Sequence, residues 1–431
     1  MKNSLSMKNF LLSFAAICFV LTLLVGVLAG WVVSHPIKAV GLFPFEYIRP
    51  LHTLFALGWV ILGTIAVSQA VVGNPPGIVQ SGLFIGGMIL IVVLTLMGFH
   101  SGREYISWPA VASLPIMVGL ILAAITVFRK LSEIAKRNLD AAWMIGIGSL
   151  LLPLGLAEVH LFLVPEIGFD PARDLTVQWH ALDTMIGAWN IILFGVGLLI
   201  VKNSTTYHGS TWHRILFIVA ASGLLLTYSH HHYPSPQPHW LKDIAFYSTL
   251  LAAIGFVHHL RIWKRCPADV SLSGHLLYVA GNWTLFAIAT GFLMALPPLN
   301  TITHCTYVVV AHAMGSMIGV NSIILLAVGL YLYPAPTKYH QRLHRFIRMS
   351  NVLLTLMVAE LMIAGLLKGY LRINGDFYVY RETVQNSLIA LPIIGLGLCV
   401  VLLPLILGIA WWALLPHQKS VNFNTYSIKH V

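Results

Sequence analysis

Three adjacent histidines, His230, His231 and His232, follow an apolar segment in the stretch TYSHHHYPSPQPHW. Neutral imidazole is a good ligand for transition metals and for haem iron. Neighbouring residues on a helix point about 100° apart, so two such rings reach one metal only from a helix end or a distorted turn. The three prolines that follow predict such an end. The stretch therefore indicates a metal site at the end of a helix.

Four further histidines, His52, His180, His304 and His312, fall near the ends of apolar segments at the same expected depth. Ionisable residues within a membrane usually mark a functional site. His312 and Met314 lie two residues apart, so on a helix their side chains diverge by about 200°. One helix can therefore supply an axial ligand to each of two haems, with ordinary core packing as the alternative role for Met314.

The hydropathy of the chain predicts the elements that hold these residues. Of its 431 residues, 58% are hydrophobic and only 9% are charged. Helical runs of about 18 apolar residues cross a bilayer core of ~30 Å. We expect one all-α, polytopic transmembrane domain over residues 9–415, with short cytoplasmic tails at 1–8 and 416–431. The twelve predicted spans begin near Leu11, Leu51, Ser81, Ala110, Ala142, Trp179, Trp212, Ile244, His275, Thr306, Asn351 and Ser387.

The net charge of +11 is explained by topology. With the N-terminus in the cytoplasm, 17 of the 25 Lys and Arg residues fall in cytoplasmic segments. This is the positive-inside pattern. It predicts a protein of a bacterial inner membrane with both termini in the cytoplasm. We therefore expect the protein to contact the lipid bilayer and not to bind nucleic acid.

The segments around the histidines resemble the haem-copper oxidase superfamily, and within it the catalytic subunit of cytochrome c-dependent nitric oxide reductase. FPFEYIRPLHTLFALGWVILG resembles the second-helix segment with a low-spin haem ligand, here His52. THCTYVVVAHAMG is similar to the tenth-helix segment with the high-spin haem ligand, here His312. The resemblance runs in the family's order from about Phe43 to Asn321, and implies a twelve-helix bundle like that of oxidase subunit I.

The resemblance also implies a non-haem metal site. TVQWHALDTMIGAW resembles the sixth-helix segment with the first ligand, here His180. The histidine triplet resembles the seventh-helix pair, which makes His230 and His231 the other ligands and His232 a neighbour. The implied cofactors are a low-spin haem b, a high-spin haem b and non-haem iron or copper.

Two further cofactor contacts follow from the resemblance. GREYISWP resembles the reductase segment in which a glutamate, here Glu104, helps to bind a calcium ion. Arg49, three residues before His52, is expected to contact a cofactor.

The chain departs from the family at three positions. Met314 stands where the family has the second low-spin haem ligand, and His/Met ligation of haem is chemically sound. His304 is the alternative ligand, although ten residues of helix separate it from Met314 by about 15 Å. Thr184 replaces the glutamate found four residues after the sixth-helix histidine, with Asp183 beside it. Thr184 and Leu224 also occupy the positions where oxygen-reducing members carry a redox tyrosine.

The resemblance favours reduction of NO to N2O as the function. His180, His230, His231 and His312 would form the catalytic site, with Asp183 and Thr184 beside it. The few intramembrane acids, Glu158, Asp183 and Glu360, are the candidate proton carriers. The chain has no CxxCH motif, so we expect a membrane-anchored cytochrome c subunit or another electron donor. The alternatives are a terminal oxidase that reduces O2 and a non-enzymatic haem protein for electron transfer or gas sensing.

We expect alanine substitution of His180, His230 or His231 to remove the non-haem metal, whereas His232→Ala leaves the metal content nearly unchanged. The reason is that the prolines end the helix just beyond the pair that reaches one metal. Metal analysis of the purified variants measures this. Equal metal loss from all four variants would show that the ligand register is wrong.

Overall fold

The computed structural model describes residues 10–34, 44–101, 103–204, 211–227, 236–263, 272–335 and 337–375. Within these ranges the chain is helical and has no β-strand. Eleven helices of at least 14 residues are described. They are α1 Phe10–Ser34, α2 Phe45–Val71, α3 Ile78–Leu96, α4 Ala110–Arg137, α5 Leu139–Glu158, α6 Pro171–Ser204, α7 Thr211–Leu224, α8 His239–Trp263, α9 Leu272–Ala295, α10 Tyr307–Leu332 and α11 His340–Ile373.

The predicted all-α membrane bundle is confirmed. Ten of the described helices are long and apolar enough to cross a membrane. The seventh predicted span corresponds to α7, which has only 14 residues. The twelfth, expected near Ser387, and both predicted tails lie outside the described residues.

Three helices form the interior of the bundle. The most apolar windows of α2, α6 and α10 are 83%, 89% and 67% buried, whereas the other seven candidate spans in the described ranges are 33–50% buried. Each interior helix carries one candidate histidine, namely His52, His180 and His312. These three candidate imidazoles therefore lie on the helices that are most enclosed by other helices.

α5 and α6 pack with their backbones in close approach. A methyl group on Gly155 of α5 would lie 3.1 Å from the carbonyl oxygen of Ala181, and one on Gly148 would lie 2.6 Å from that of Ala188. From the other side, a methyl group on Gly195 of α6 would lie 3.3 Å from a backbone oxygen of α5. Small residues at such an interface let membrane helices approach closely enough for favourable van der Waals packing.

Polar contacts fix the beginning of α5. The side chain of Asn138 accepts hydrogen bonds from the backbone N–H groups of Asp140 and Ala141, at 3.1 and 3.2 Å, and so caps α5. The Asp140 carboxylate accepts a hydrogen bond from Arg214 Nε of α7 at 3.1 Å. The beginning of α7 is thereby tied to the beginning of α5.

α10 contains a π-helical segment, Gly315–Ser322, between two α-helical parts. Ser322 Oγ donates to the carbonyl oxygen of Met317 at 2.8 Å and accepts a hydrogen bond from Trp59 Nε1 of α2 at 2.7 Å. This contact sets the register between α2 and α10. π-helical segments are frequent at functional sites.

Candidate functional site

The candidate residues gather at one end of the bundle. His52, His180 and His312 lie within the first three turns of α2, α6 and α10, and Glu158 is the last residue of α5. Consecutive helices joined by short loops run in opposite directions. The even-numbered helices therefore begin at the same end of the bundle at which α5 ends.

His52 is held against α1 through its ring nitrogen Nδ1. Nδ1 lies 2.9 Å from the carbonyl oxygen of Thr22. Because a carbonyl only accepts, Nδ1 carries the hydrogen and Nε2 carries the lone pair of the neutral ring. A methyl group on Gly26 would lie 2.8 Å from Cε1 of His52, so a larger residue would displace the ring.

His312 is held against α9 in the same way. Its Nδ1 lies 2.8 Å from Thr290 Oγ1. That hydroxyl donates its one hydrogen to the carbonyl oxygen of Phe286 at 2.8 Å, so it accepts from Nδ1–H of His312. A methyl group on Gly291 would lie 3.3 Å from Cε1 of the ring.

His180 is held by a carboxylate of α5. Its Nδ1 donates a short hydrogen bond to Glu158 Oε1. The two side chains are only partly exposed, at 36% for His180 and 24% for Glu158. The close approach of Gly155 to Ala181 brings the end of α5 to this turn of α6.

The three rings share one orientation. Each uses Nδ1 as the donor to a neighbouring helix, which makes Nε2 the nitrogen with the lone pair. Metal-binding histidines commonly donate their other ring nitrogen in this manner. His52, His180 and His312 therefore fit the ligation of haem iron or a metal through Nε2.

The segment 228–235, which carries His230, His231 and His232, lies outside the described residues, but the residues on both sides of it are bound to α6. Thr227 Oγ1 donates to Asp183 Oδ2 at 2.7 Å. Gln237 Nε2 donates to Thr176 Oγ1 at 3.2 Å. These anchors on α6 lie four residues before and three residues after His180. Thr227 and Gln237 thus lie beside the part of α6 that carries His180.

Thr184 and Asp183 have different surroundings. Thr184 is buried at 5% exposure. Asp183 is half-buried and its carboxylate is directed to Thr227, just beyond α7. The carboxylate that contacts His180 Nδ1 is that of Glu158.

Met314 is the last residue before the π-helical segment, so His312 and Met314 share a regular α-helical part and diverge as expected. Met314 lies eight residues before Ser322, and His52 lies seven residues before Trp59, the hydrogen-bond partner of Ser322. α2 and α10 run in the same direction. His52 and Met314 therefore lie at similar depth.

His304 precedes the helix that carries Met314, as the predicted start of the tenth span near Thr306 implies. His304 follows the short helix Pro297–Thr303, and α10 begins only at Tyr307. Its carbonyl oxygen accepts a hydrogen bond from Arg372 Nη1 at 2.9 Å. The break at residues 304–306 takes His304 off the helix that carries Met314.

The loop between α3 and α4 is clamped to α2 and α6 by two ion pairs. Arg103 donates two hydrogen bonds to Asp174 of α6, at 2.7 and 3.1 Å, and lies 4.3 Å from the ring centroid of Phe162. Arg49 Nη2 of α2 lies 3.5 Å from Glu104 Oε1. The bidentate pair is the stronger of the two, because the other is largely exposed to solvent.

Glu104, the expected calcium ligand, is paired with Arg49. In the part of the chain that the structure describes, no three His, Cys, Asp or Glu side chains are placed to hold a metal ion. The calcium site at Glu104 therefore stays a prediction.

Tyr105 lies in the same loop and was not identified from the sequence. It has a left-handed backbone with φ of 63°, and its ring meets Trp179, the neighbour of His180, edge-on at 6.1 Å. Burial, and then the charge of Glu104, raise the pKa of Tyr105 to about 12. The phenol is therefore neutral near pH 7 and packs the loop onto α6.

The sequence also does not identify which residues accept the hydrogen bonds of the three histidine rings. Thr22, Thr290 and Glu158 lie 30, 22 and 22 residues from the histidines that they contact. Gly26 and Gly291 are two of 35 glycines, so their residue type alone does not single them out.

Comparison with known proteins identifies the family. Residues 8–413 match the family described as cytochrome c and quinol oxidase polypeptide I. A nitric oxide reductase subunit of Stutzerimonas stutzeri is 21% identical over 371 residues, covering 74% of this chain and 73% of that protein. A haem-copper terminal oxidase dimer solved by cryo-EM shares the fold, with a TM-score of 0.75, 14% identity, and coverage of 97% of this chain and 86% of that one. Because the family match spans nearly the whole sequence, the chain belongs to the haem-copper oxidase subunit I family, whose members are membrane oxidoreductases that bind haems and a copper or iron ion.

Proposed function

We propose that this chain is the catalytic subunit of a nitric oxide reductase-like enzyme. Two NO, two electrons and two protons would give one N2O and one water. The observation that carries the proposal is the similarity to the nitric oxide reductase subunit of Stutzerimonas stutzeri over most of both chains. The replacement of the oxidase tyrosine by Thr184 and Leu224 supports it.

Histidine side chains would hold the redox groups. His52 and Met314 are assigned to a low-spin haem b, His312 to a high-spin haem b, and His180, His230 and His231 to non-haem iron or copper. When bound, these groups supply the electrons and the metal ions between which NO is reduced. The hydrogen bonds at Nδ1 fix His52, His180 and His312 so that Nε2 is the ligating atom.

Protons would come from the acids at this end of the bundle. Glu158 is engaged by His180. Asp183 accepts a hydrogen bond from Thr227 at Oδ2, which leaves Oδ1 as the atom that can hold a proton. We therefore assign to Asp183 Oδ1 the last position that a proton occupies before it reaches the substrate.

The partner and the topology follow from the same proposal. A membrane-anchored cytochrome c subunit, or another electron donor, would dock at the end that carries the candidate site. The chain would lie in a bacterial inner membrane with both termini in the cytoplasm, as the distribution of basic residues favours. Arg49 is assigned to a cofactor contact near His52. Calcium has no part in the proposal.

A second candidate function is reduction of O2 to water. The fold shared with a haem-copper terminal oxidase favours it. The missing tyrosine is the feature that argues against it.

The proposed function predicts that purified protein, supplied with electrons by a reduced cytochrome c or an artificial donor, consumes NO and releases one N2O per two NO. O2 consumption under the same conditions should be slow, because Thr184 and Leu224 cannot act as the redox tyrosine. Gas-selective electrodes and N2O analysis measure both rates. Steady O2 turnover without N2O formation would support the oxidase instead.

The assignment of Met314 predicts a weak charge-transfer band at the red end of the visible spectrum of the oxidised protein, as methionine-ligated haems show. Met314→Ala should abolish the band. Met314→His should give a bis-histidine haem of lower potential, because thioether sulfur stabilises ferrous iron more than imidazole does. Met317→Leu serves as the control, since the Met317 sulfur is already contacted by Asn321 Nδ2 at 3.7 Å. A bis-histidine spectrum in the unmodified protein would contradict the assignment.

A further inference from the structure

Thr290 is a buried threonine of α9 that contacts a candidate haem ligand. The residue is 5% exposed, and its Oγ1 lies 2.8 Å from Nδ1 of His312 on α10. The hydroxyl hydrogen is donated to the carbonyl oxygen of Phe286, one turn earlier in α9, also at 2.8 Å. Because that hydrogen is already used, Oγ1 accepts from Nδ1–H of His312. The bonds form a chain from the ring to the hydroxyl to the backbone of α9.

Close contacts between aromatic rings and glycines set the register of α9 against α10. A methyl group on Gly315 of α10 would lie 2.7 Å from Cε1 of Phe286, and one on Gly319 would lie 2.4 Å from Cγ of Trp283. The two rings of α9 therefore occupy space that only glycine leaves open on α10. Thr290 lies one turn beyond Phe286, so helix packing holds its hydroxyl in place as the acceptor.

The acceptor of Nδ1–H controls how strongly the other nitrogen of a histidine binds iron. An ionised acceptor draws the hydrogen toward itself and leaves the ring electron-rich. A hydroxyl is neutral, and hydrogen bonds between neutral groups are about half as strong as those with an ionised partner. Hydrogen bonding to an axial ligand is one of the means by which a protein sets the potential of a haem. The acceptor at Thr290 is therefore of the weaker kind.

We propose that Thr290 is a positioning residue for the high-spin haem, which fixes the His312 ring so that Nε2 is the ligating atom and keeps that ring a moderate electron donor. A moderate donor favours ferrous iron over ferric iron. Ferrous haem is the form that binds both NO and O2 tightly. The inference rests on the proposed function, because the haem and its ligand are those assigned there.

The test compares Thr290→Val, Thr290→Ser and Thr284→Val in the full chain purified with its haems. Resonance Raman spectra of the reduced protein give the frequency of the iron–histidine stretch, and redox titration gives the potential of the high-spin haem. Thr290→Val keeps the shape of the side chain but removes the acceptor, so the stretch should shift to lower frequency and the potential should rise. Thr290→Ser keeps the hydroxyl, so both values should stay close to those of the unmodified protein.

Thr284→Val is the matched control, because Thr284 lies on the same helix, is also 5% exposed and donates to the carbonyl oxygen of Ala280 at 2.8 Å. It should leave both values unchanged. An unshifted stretch in Thr290→Val, or equal shifts in Thr290→Val and Thr284→Val, would overturn the proposal. Where Thr290→Val does not retain the haem, Thr290→Cys decides alone, because a thiol is a weaker acceptor than a hydroxyl, and an unshifted stretch in it overturns the proposal. Neither measurement uses NO or O2, so failure here is separable from failure of the proposed reaction.

Discussion

The candidate site depends on the close packing of α5 against α6. Lipid tails are as apolar as the helix surfaces, so association in a membrane comes from van der Waals contact and polar bonds between helices. Glycines on both helices let the two backbones meet. α6 then carries His180, and it also carries Thr176 and Asp183, which bind the residues on both sides of segment 228–235. A shift of α5 relative to α6 would break the contact between Glu158 and His180.

A second constraint is that polar groups inside the bundle must be paired. An unpaired buried donor costs about 1–3 kcal/mol, so every interior imidazole needs an acceptor for its N–H. The chain meets this need with an acceptor on the neighbouring helix for His52, His180 and His312. The same bond that satisfies the ring also fixes which ring nitrogen keeps its lone pair. Stability and ring orientation are therefore set by one interaction at each histidine.

The spans and the histidines could be predicted from the sequence because both depend on local patterns. Long apolar runs define the membrane helices, and imidazoles within them are conspicuous. The beginning of α6 was placed about two turns too late, near Trp179, because its first turns are polar and carry Asp174, which pairs with Arg103. The start of α10 at Tyr307 agrees with the span predicted to begin near Thr306.

The partners of the histidines could not be predicted from the sequence. Glu158 was identified as an intramembrane acid, but its contact with His180 depends on the register of two helices, which no local pattern records. The same holds for Thr22 and Thr290. Candidate ligands are therefore readable from a resemblance, whereas the residues that contact them require the packed structure.

The number of electrons links these contacts to the choice of substrate. Coupling two NO needs two electrons, whereas reducing O2 to water needs four. The resemblance places a redox tyrosine of oxygen-reducing members at the positions of Thr184 and Leu224, and neither of these side chains can release an electron. On this ground the proposed two-electron reduction of NO requires less of these two positions than the four-electron reduction of O2 does.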